Sequence, residues 1–490
     1  MKDLNPSLKE YPEKSESFWL REGGIRALKV FQETFKRVPG YRLFLHKSKI
    51  DPKSVQTMKQ FTALPVMSKE TYFSKEPLGT RTLDGDLPSM YLLCKSSGST
   101  GKAYYWPRFK DQDMDEPELI QLAYSFFEIE KKSTLVINCL ALGSWVAGTM
   151  MTSATLEIAK KKDLKLSVIT PGANNKEILE IVRDIGDYYD QIVFIAYPPT
   201  ARNIIVEGIE QGIDWKKYKP KFVVGGEPVS IAWENFILEK VGSKNPSDLM
   251  TIFGMAELHV LAFQTPLSTY LRRIFENNPS VTKQIFGEKS LAVLMQFNPL
   301  TRWIESQQGE LLITALCGQP LVRYNSHDLG GVMTIGSLLE KLKEFGIENP
   351  IPELEKSGRK VWRWPFFYSF GRGNAISLMG ANIYPSEIES YFHSMDLFND
   401  FKIGVTFDNN QSPIFSVLFE LRESKNLGQS EKEQFEKDAS RDIMNHLRQV
   451  NDDYSDAYRE EEKVMTPQVI VYNHREGPFS VKKIKQAHIF

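Results

Sequence analysis

The chain has 490 residues, 41% of them hydrophobic and 25% charged, with a formal net charge of −1. That length exceeds one ordinary core and predicts two or more domains, while the balanced charge leaves no basic excess for nucleic acid. Three scattered cysteines, Cys94, Cys139 and Cys317, form neither a disulfide framework nor a zinc spacing, which suits a reducing compartment.

The opening residues Met-Lys-Asp-Leu-Asn-Pro lack the apolar stretch of a secretion signal. Residues 1 to 60 read as partly amphipathic helix, with Phe18, Trp19, Phe31 and Phe35 spaced for one packed face. No chemistry is evident in that stretch, and residues 61–69 read as a turn-rich link. Then comes Ser96-Ser97-Gly98-Ser99-Thr100-Gly101-Lys102. Its glycines let successive N–H groups converge, its hydroxyls add donors, and its lysine is a point charge suited to phosphate. The bland reading is a flexible Ser/Gly linker. It is no Walker loop, because two residues rather than four separate Gly98 from Gly101, and Ala103 follows Lys102.

Residues 133–156 carry no charge over a span of transmembrane length. Asn138, the glycines and the hydroxyl residues favour instead a buried strand running into a buried helix. No membrane segment is expected, and the compartment expected is the cytoplasm. A rhythm starts here, with apolar runs at 135–140, 166–170, 191–196, 221–224 and 249–253 and helix-like stretches such as 176–185 and 200–211 between them. Successive runs lie roughly 25 to 30 residues apart, a βαβ crossover length, which predicts a mainly parallel sheet covered by helices.

Ligands of such sheets bind beyond the carboxyl ends of the strands. Two runs end informatively, in Gly225-Gly226-Glu227-Pro228 and in Phe253-Gly254-Met255-Ala256-Glu257. Glycine there lets a flat ligand approach the backbone, Phe253 suits a base, and Glu257 suits Mg²⁺. Either stretch alone also reads as a strand-to-helix turn with a capping acid. Trp145 and Tyr197 reach the same rim as walls of an acyl pocket or as core residues.

Residues 291–335 alternate in short runs broken by Asn298-Pro299 and Gln308-Gly309, which predicts antiparallel strands beside the main sheet. Ser326-His327-Asp328 is no catalytic triad, since adjacent side chains diverge, but Asp328 suits two ribose hydroxyls. Residues 337–360 are charged and helical in pattern, and after Gly371-Arg372-Gly373-Asn374 the composition resets to a small α+β unit. In it a helix opens at Tyr384-Pro385-Ser386, strands at 401–407 and 413–421 join through Asn409-Asn410, a charged helix spans 430–450, and a strand covers 468–472. The chain closes with Gly477-Pro478-Phe479-Ser480-Val481-Lys482-Lys483-Ile484-Lys485.

Six motifs now stand in order: SSGSTGK (96–102), GGEP (225–228), FGMAE (253–257), RYNSHDL (323–329), GRGN with GANIYPSEIE (371–389) and PFSVKKIK (478–485). The set resembles the acyl-adenylate-forming superfamily, most closely its phenylacetate–coenzyme A ligase and coenzyme F390 synthetase-like branch. The resemblance implies a large N-terminal α/β domain over 1–372, with mainly parallel sheets and a small β subdomain, and a mobile α+β lid over 373–490. It implies attack of a carboxylic acid, an aromatic one among the options, on ATP to give acyl-AMP and pyrophosphate. Transfer to coenzyme A follows, or to an amine or a carrier-protein thiol.

The same resemblance implies the roles. Ser96, Ser97, Gly98, Ser99, Thr100, Gly101 and Lys102 cradle phosphates, and Glu257 binds Mg²⁺. Gly226, Glu227, Phe253, Gly254, Met255 and Ala256 frame the nucleotide, Asp328 holds the ribose, and Arg372 contacts the nucleotide. Trp145, Tyr197 and Gly254 wall the acyl pocket, Gly373 and Asn374 form the hinge, and Lys483 is the catalytic lysine. Asn374 stands where Asp or Lys is usual, Ala256 where a hydroxyl is common, and Lys482 where Gly precedes the catalytic lysine. The oligomeric state is left open, a homodimer among the options.

Overall fold

A computed structural model describes the chain except for residues 1–9, 97–103, 111–114, 144–145, 288–290, 292, 373–374, 394–396 and 481–488. The first long helix, Glu16–Arg37, opens at Ser15, whose hydroxyl accepts from the Phe18 N–H. It buries Trp19 and Phe31, while Phe18 and Phe35 stay half-buried. After the helix Pro39–Lys47 the link makes a single wide turn, Lys69–Phe73, capped by Ser68. Strands β1 (Leu92–Ser96) and β2 (Tyr104–Arg108) then pair antiparallel, so the hydroxyl- and glycine-rich stretch connects the two arms of a hairpin.

The expected rhythm builds β3 (Thr134–Asn138), β4 (Leu166–Ile169), β5 (Gln191–Ala196), β6 (Lys221–Gly225) and β7 (Leu249–Met255). They run parallel in the order β4-β3-β5-β6-β7. Alternate residues serve opposite faces. Leu135, Ile137, Phe194 and Phe222 pack on the helices Asn175–Ile185, Pro198–Glu210 and Ile231–Lys240. Val136, Val193, Ile195 and Val223 meet Ile120, Tyr124, Met151 and Ala154 on the helices Glu116–Tyr124 and Val146–Ala159. Burial on both faces explains why these strands read as continuous apolar runs. The uncharged stretch 133–156 is thus β3 and a buried helix, and among the described residues no helix is long and apolar enough to cross a membrane.

The remaining strands do not form a separate sheet. They are β8 (His259–Phe263), β9 (Val293–Gln296), β10 (Trp303–Gln307), β11 (Glu310–Ala315), β12 (Leu321–Met333) and β13 (Phe366–Arg372). All are antiparallel and extend the same sheet from β7 in the order β8-β9-β13-β12-β11-β10. The junction of β8 with β9 is narrow, Phe263 opposite Gln296. As expected, Gln308-Gly309 turns the β10–β11 hairpin, with φ of 56° and 83°.

Beyond β13, β14 (Ile376–Leu378) and β15 (Ala381–Ile383) form a hairpin whose Met379 and Gly380 both take positive φ, the two-residue turn that suits strand twist. The helix from Pro385, strands β16 (Phe398–Phe407), β17 (Pro413–Leu421) and β18 (Gln468–Tyr472), and the helix Gln429–Val450 complete the α+β unit. The β16–β17 connection differs from expectation. Gln411, not an asparagine, takes positive φ, because the connection is the five residues 408–412 rather than a two-residue turn and closes through Gln411 N–H to Asp408 O.

Candidate active site

A cavity of about 380 Å³ opens at the carboxyl ends of β5, β6 and β7. The two glycine-bearing turns at this rim are built differently. Gly225–Pro228 does lead into a helix, Ile231–Lys240, whose first turn Ser230 caps. Phe253–Met255 instead remain inside β7, and the chain turns back through Ala256–Leu258 into β8, so the strand-to-helix reading fails there. The reason is buried charge. Arg108 donates to the Ala256 carbonyl at 2.7 Å, Arg302 donates to the Val260 carbonyl at 3.0 Å, and His259 Nδ1 lies 3.0 Å from Glu116 Oε2. Arg302 also bonds Glu116 and pairs with Asp115. Burial acts to raise Glu116, but Arg302 and His259 outweigh it and hold this carboxyl below its ordinary value. Asp115 is raised, its burial outweighing Arg302.

Glu257 sits on this turn, 6% exposed. It accepts from Tyr324 Oη at 2.8 Å and faces Lys69 Nζ at 3.3 Å, and Lys69 also lies over the Tyr104 ring. Among the described residues no three or more His, Cys, Asp or Glu side chains gather to hold a metal. One carboxylate ligand such as Glu257 fits Mg²⁺, which keeps waters and takes substrate phosphate oxygens, rather than an ion caged by protein. Asp328, on β12, is buried at the same cavity and stands directly across the ladder from Arg372. Phe253 lines the cavity with its ring edge-on to Phe367.

Gly226 has φ of 91°, and a Cβ there would meet the Tyr197 ring at 2.5 Å. A Cβ on Gly380 would meet that ring at 2.9 Å, so two glycines make room for one phenol. Tyr197 therefore lies against the C-terminal hairpin. Beside it Glu227 accepts from the Met379 N–H at 2.6 Å, and burial pushes its carboxyl up to about 8 against that bond. Two further bonds tie the C-terminal unit to the helix Pro198–Glu210, from Arg202 to Asn410 O and from Asn203 to Glu461, both at 2.9 Å.

No family model and no curated protein matches the chain. Solved structures do. A 2-hydroxyisobutyryl-CoA ligase, in complex with 2-HIB-AMP and CoA in its thioesterification state, superposes with a TM-score of 0.63 at 16% identity, over 100% of this chain and 94% of that one. The chain has the fold of an adenylate-forming acyl ligase. The same ligase in its postadenylation state gives 0.54 at 17% identity, over 100% and 94%. Its open conformation gives 0.51 at 17%, over 95% and 90%.

Within this ligase fold, the structure gathers Tyr197, Gly226, Glu227, Phe253, Gly254, Met255, Ala256, Glu257 and Asp328 at one cavity. Ser96 ends β1 and Arg372 ends β13. Ser97, Gly98, Ser99, Thr100, Gly101, Lys102, Trp145, Gly373, Asn374, Lys482 and Lys483 lie outside the described residues. Sequence reasoning missed Lys69, Tyr324 and His259 at the cavity. His259 stands two residues past Glu257, a signal that the motif itself offered. Lys69, in a stretch read as a link, offered none.

Proposed function

We propose that this protein activates a carboxylic acid with ATP, forming acyl-AMP and pyrophosphate, and passes the acyl group to coenzyme A. The observation that carries this reading is the meeting of Glu257, Asp328 and Gly226-Glu227, from separate stretches, at the carboxyl ends of parallel strands in an acyl-ligase fold. Residues 1–372 would bind ATP and the acid, and residues 373–490 would act as the lid. Asp328 would accept from the ribose hydroxyls, while Gly226-Glu227 and Phe253 frame adenine. Lys69 and the stretch 96–102 would face the phosphates. Mg²⁺ held by Glu257 would supply positive charge where the phosphoryl oxygens gain negative charge, as the transition state requires. Lys483 would bridge the acid carboxylate and the α-phosphate, then leave when the lid turns about Gly373-Asn374 for transfer.

One observation favours a second acceptor class. Tyr197, at the lid side of the cavity, lies near Glu227, Asp453 and Glu460, which with burial raise its phenol. Glu227 and Glu460 are held towards their neutral forms by burial, but Asp453 also lines the cavity, and a carboxylate there attracts a cationic amine more than the phosphates of coenzyme A.

The test is ATP–pyrophosphate exchange across a panel of carboxylic acids, followed by product analysis with coenzyme A, with amines and with neither. Lys483→Ala should cut exchange by about two orders of magnitude, on the order of 3 kcal/mol, and nearly spare transfer from supplied acyl-AMP. Lys482→Ala is the control, and equal slowing of both half-reactions by Lys483→Ala would remove the assigned role.

A further inference from the structure

Resting on the adenylation reading, we infer that His259 selects the acid: its Nε2 accepts a hydrogen bond from an O–H or N–H carried on the body of an otherwise apolar carboxylic acid. The part of the cavity between the sheet and the helix Val146–Ala159 is walled by Leu140, Val146, Ala147, Met151, Val223 and Val260. These side chains offer an acyl chain or ring dispersion contacts and nothing polar. His259 lines the same cavity, is 4% exposed, and takes φ of 69°. A non-glycine residue in the left-handed region is uncommon, histidine being among those that adopt it more readily.

The holding contacts define what the ring can do. Nδ1 lies 3.0 Å from Glu116 Oε2, and Arg302 already supplies the countercharge to that carboxylate through its other oxygen. An ionised carboxylate only accepts, so Nδ1 carries the hydrogen. In the neutral ring the lone pair then sits on Nε2. Among the described residues nothing bonds Nε2, and His259 lines the cavity. A histidine present only to satisfy Glu116 would have no need to stand in the cavity wall with its second nitrogen unpartnered. One oriented acceptor in an apolar pocket is a specificity device: an acid without the donor leaves Nε2 desolvated and unpaired, whereas the matching acid satisfies it.

The experiment compares matched acids in ATP–pyrophosphate exchange. Hydroxy- and amino-substituted benzoates, phenylacetates and short alkanoates are each set against their unsubstituted and O-methyl or N,N-dimethyl partners. At least one donor-bearing acid should exceed its partners in kcat/KM by about tenfold or more. His259→Phe should bring that ratio to near one. Absence of a preference in the wild type, or its persistence in His259→Phe, overturns the inference. A second measurement needs no turnover. In protein carrying ¹⁵N-histidine, with His259 assigned among the seven histidines through His259→Gln, the Nε2 resonance should move on adding the best hydroxy acid and stay still with its unsubstituted partner. If no acid supports exchange, the adenylation reading falls, and this resonance alone decides: movement keeps the binding role of His259, and no movement ends it.

Discussion

The two glycine-bearing turns at the rim look alike in one dimension and behave as opposites in three. Gly225–Pro228 runs into a capped helix and offers its carboxyl, Glu227, to the C-terminal hairpin. Phe253–Leu258 folds back into β8 over buried charge and offers its carboxyl, Glu257, to Tyr324 and Lys69 of the larger unit. One carboxyl is pushed up by burial with a single backbone N–H to support it, and the other faces a hydroxyl donor and a cation. Environment, not residue type, separates a carboxyl that docks a neighbouring unit from one suited to a metal.

Breaking the support of the second turn should have the largest effect. Arg302→Ala leaves Glu116 and Asp115 without their cation in a buried site, which should cost ~3–5 kcal/mol in denaturant unfolding. A loss below ~1 kcal/mol would mean that the hairpin holds without this network. Glu257→Gln acts on function rather than fold. Adenylation should fall by about two orders of magnitude, near 3 kcal/mol, and the Mg²⁺ concentration for half-maximal rate should rise. An unaltered Mg²⁺ titration would take Glu257 out of the metal site.

The first turn is tested by geometry. Gly226→Ala places a methyl 2.5 Å from the Tyr197 ring at φ of 91° and should cost about 1–3 kcal/mol. Adding Tyr197→Leu should recover the steric part but not the strain, so a double-mutant cycle should show positive coupling. Strict additivity would mean that the ring and Gly226 are not in contact in solution.

The sheet was legible where burial on both faces wrote itself as continuous apolar runs. Residues 191–196, 413–421 and 468–472 have the boundaries expected for them. The β7–β8 hairpin was not legible, because its cause is a set of side chains at 108, 116 and 302 that share no period with 256–260. Nor was the extension of the sheet through β9, since one pair, Phe263 and Gln296, makes the junction. At the cavity, the lining stretches 225–228 and 253–257 could be read in advance because they carry glycines and acids. Lys69, Tyr324 and His259 could not, as each gains its meaning from a partner distant in sequence or from a cavity. The contact of Tyr197 with the C-terminal hairpin falls between these cases: its place at a strand end could be read, but not that Gly226 and Gly380 both give way to its ring.

Glu227 carries the smallest effect and the one that best separates the two turns. Its carboxyl, ordinarily near 4.5, is pushed up to about 8 by burial, partly offset by the Met379 N–H. Between these values the folded protein keeps a proton that the unfolded chain has released. The contribution of Glu227 to stability is therefore full below about pH 4.5, falls as pH rises through the window, and levels off above about pH 8. Glu460, pushed up to about 7 by its burial and by Asp456 and Glu461, adds a slope of the same sign, so the wild-type decline is a sum. Glu227→Gln keeps the shape and removes only one titration. Because the residue is half-buried and solvent screens it, the variant should remove on the order of 1 kcal/mol from the decline measured by unfolding at pH 5 and pH 8. The same substitution should leave the Mg²⁺ requirement untouched, in contrast to Glu257→Gln. If Glu227→Gln leaves the pH dependence of unfolding as steep as before, the carboxyl is ionised against the hairpin, and the two turns differ less than their geometry indicates.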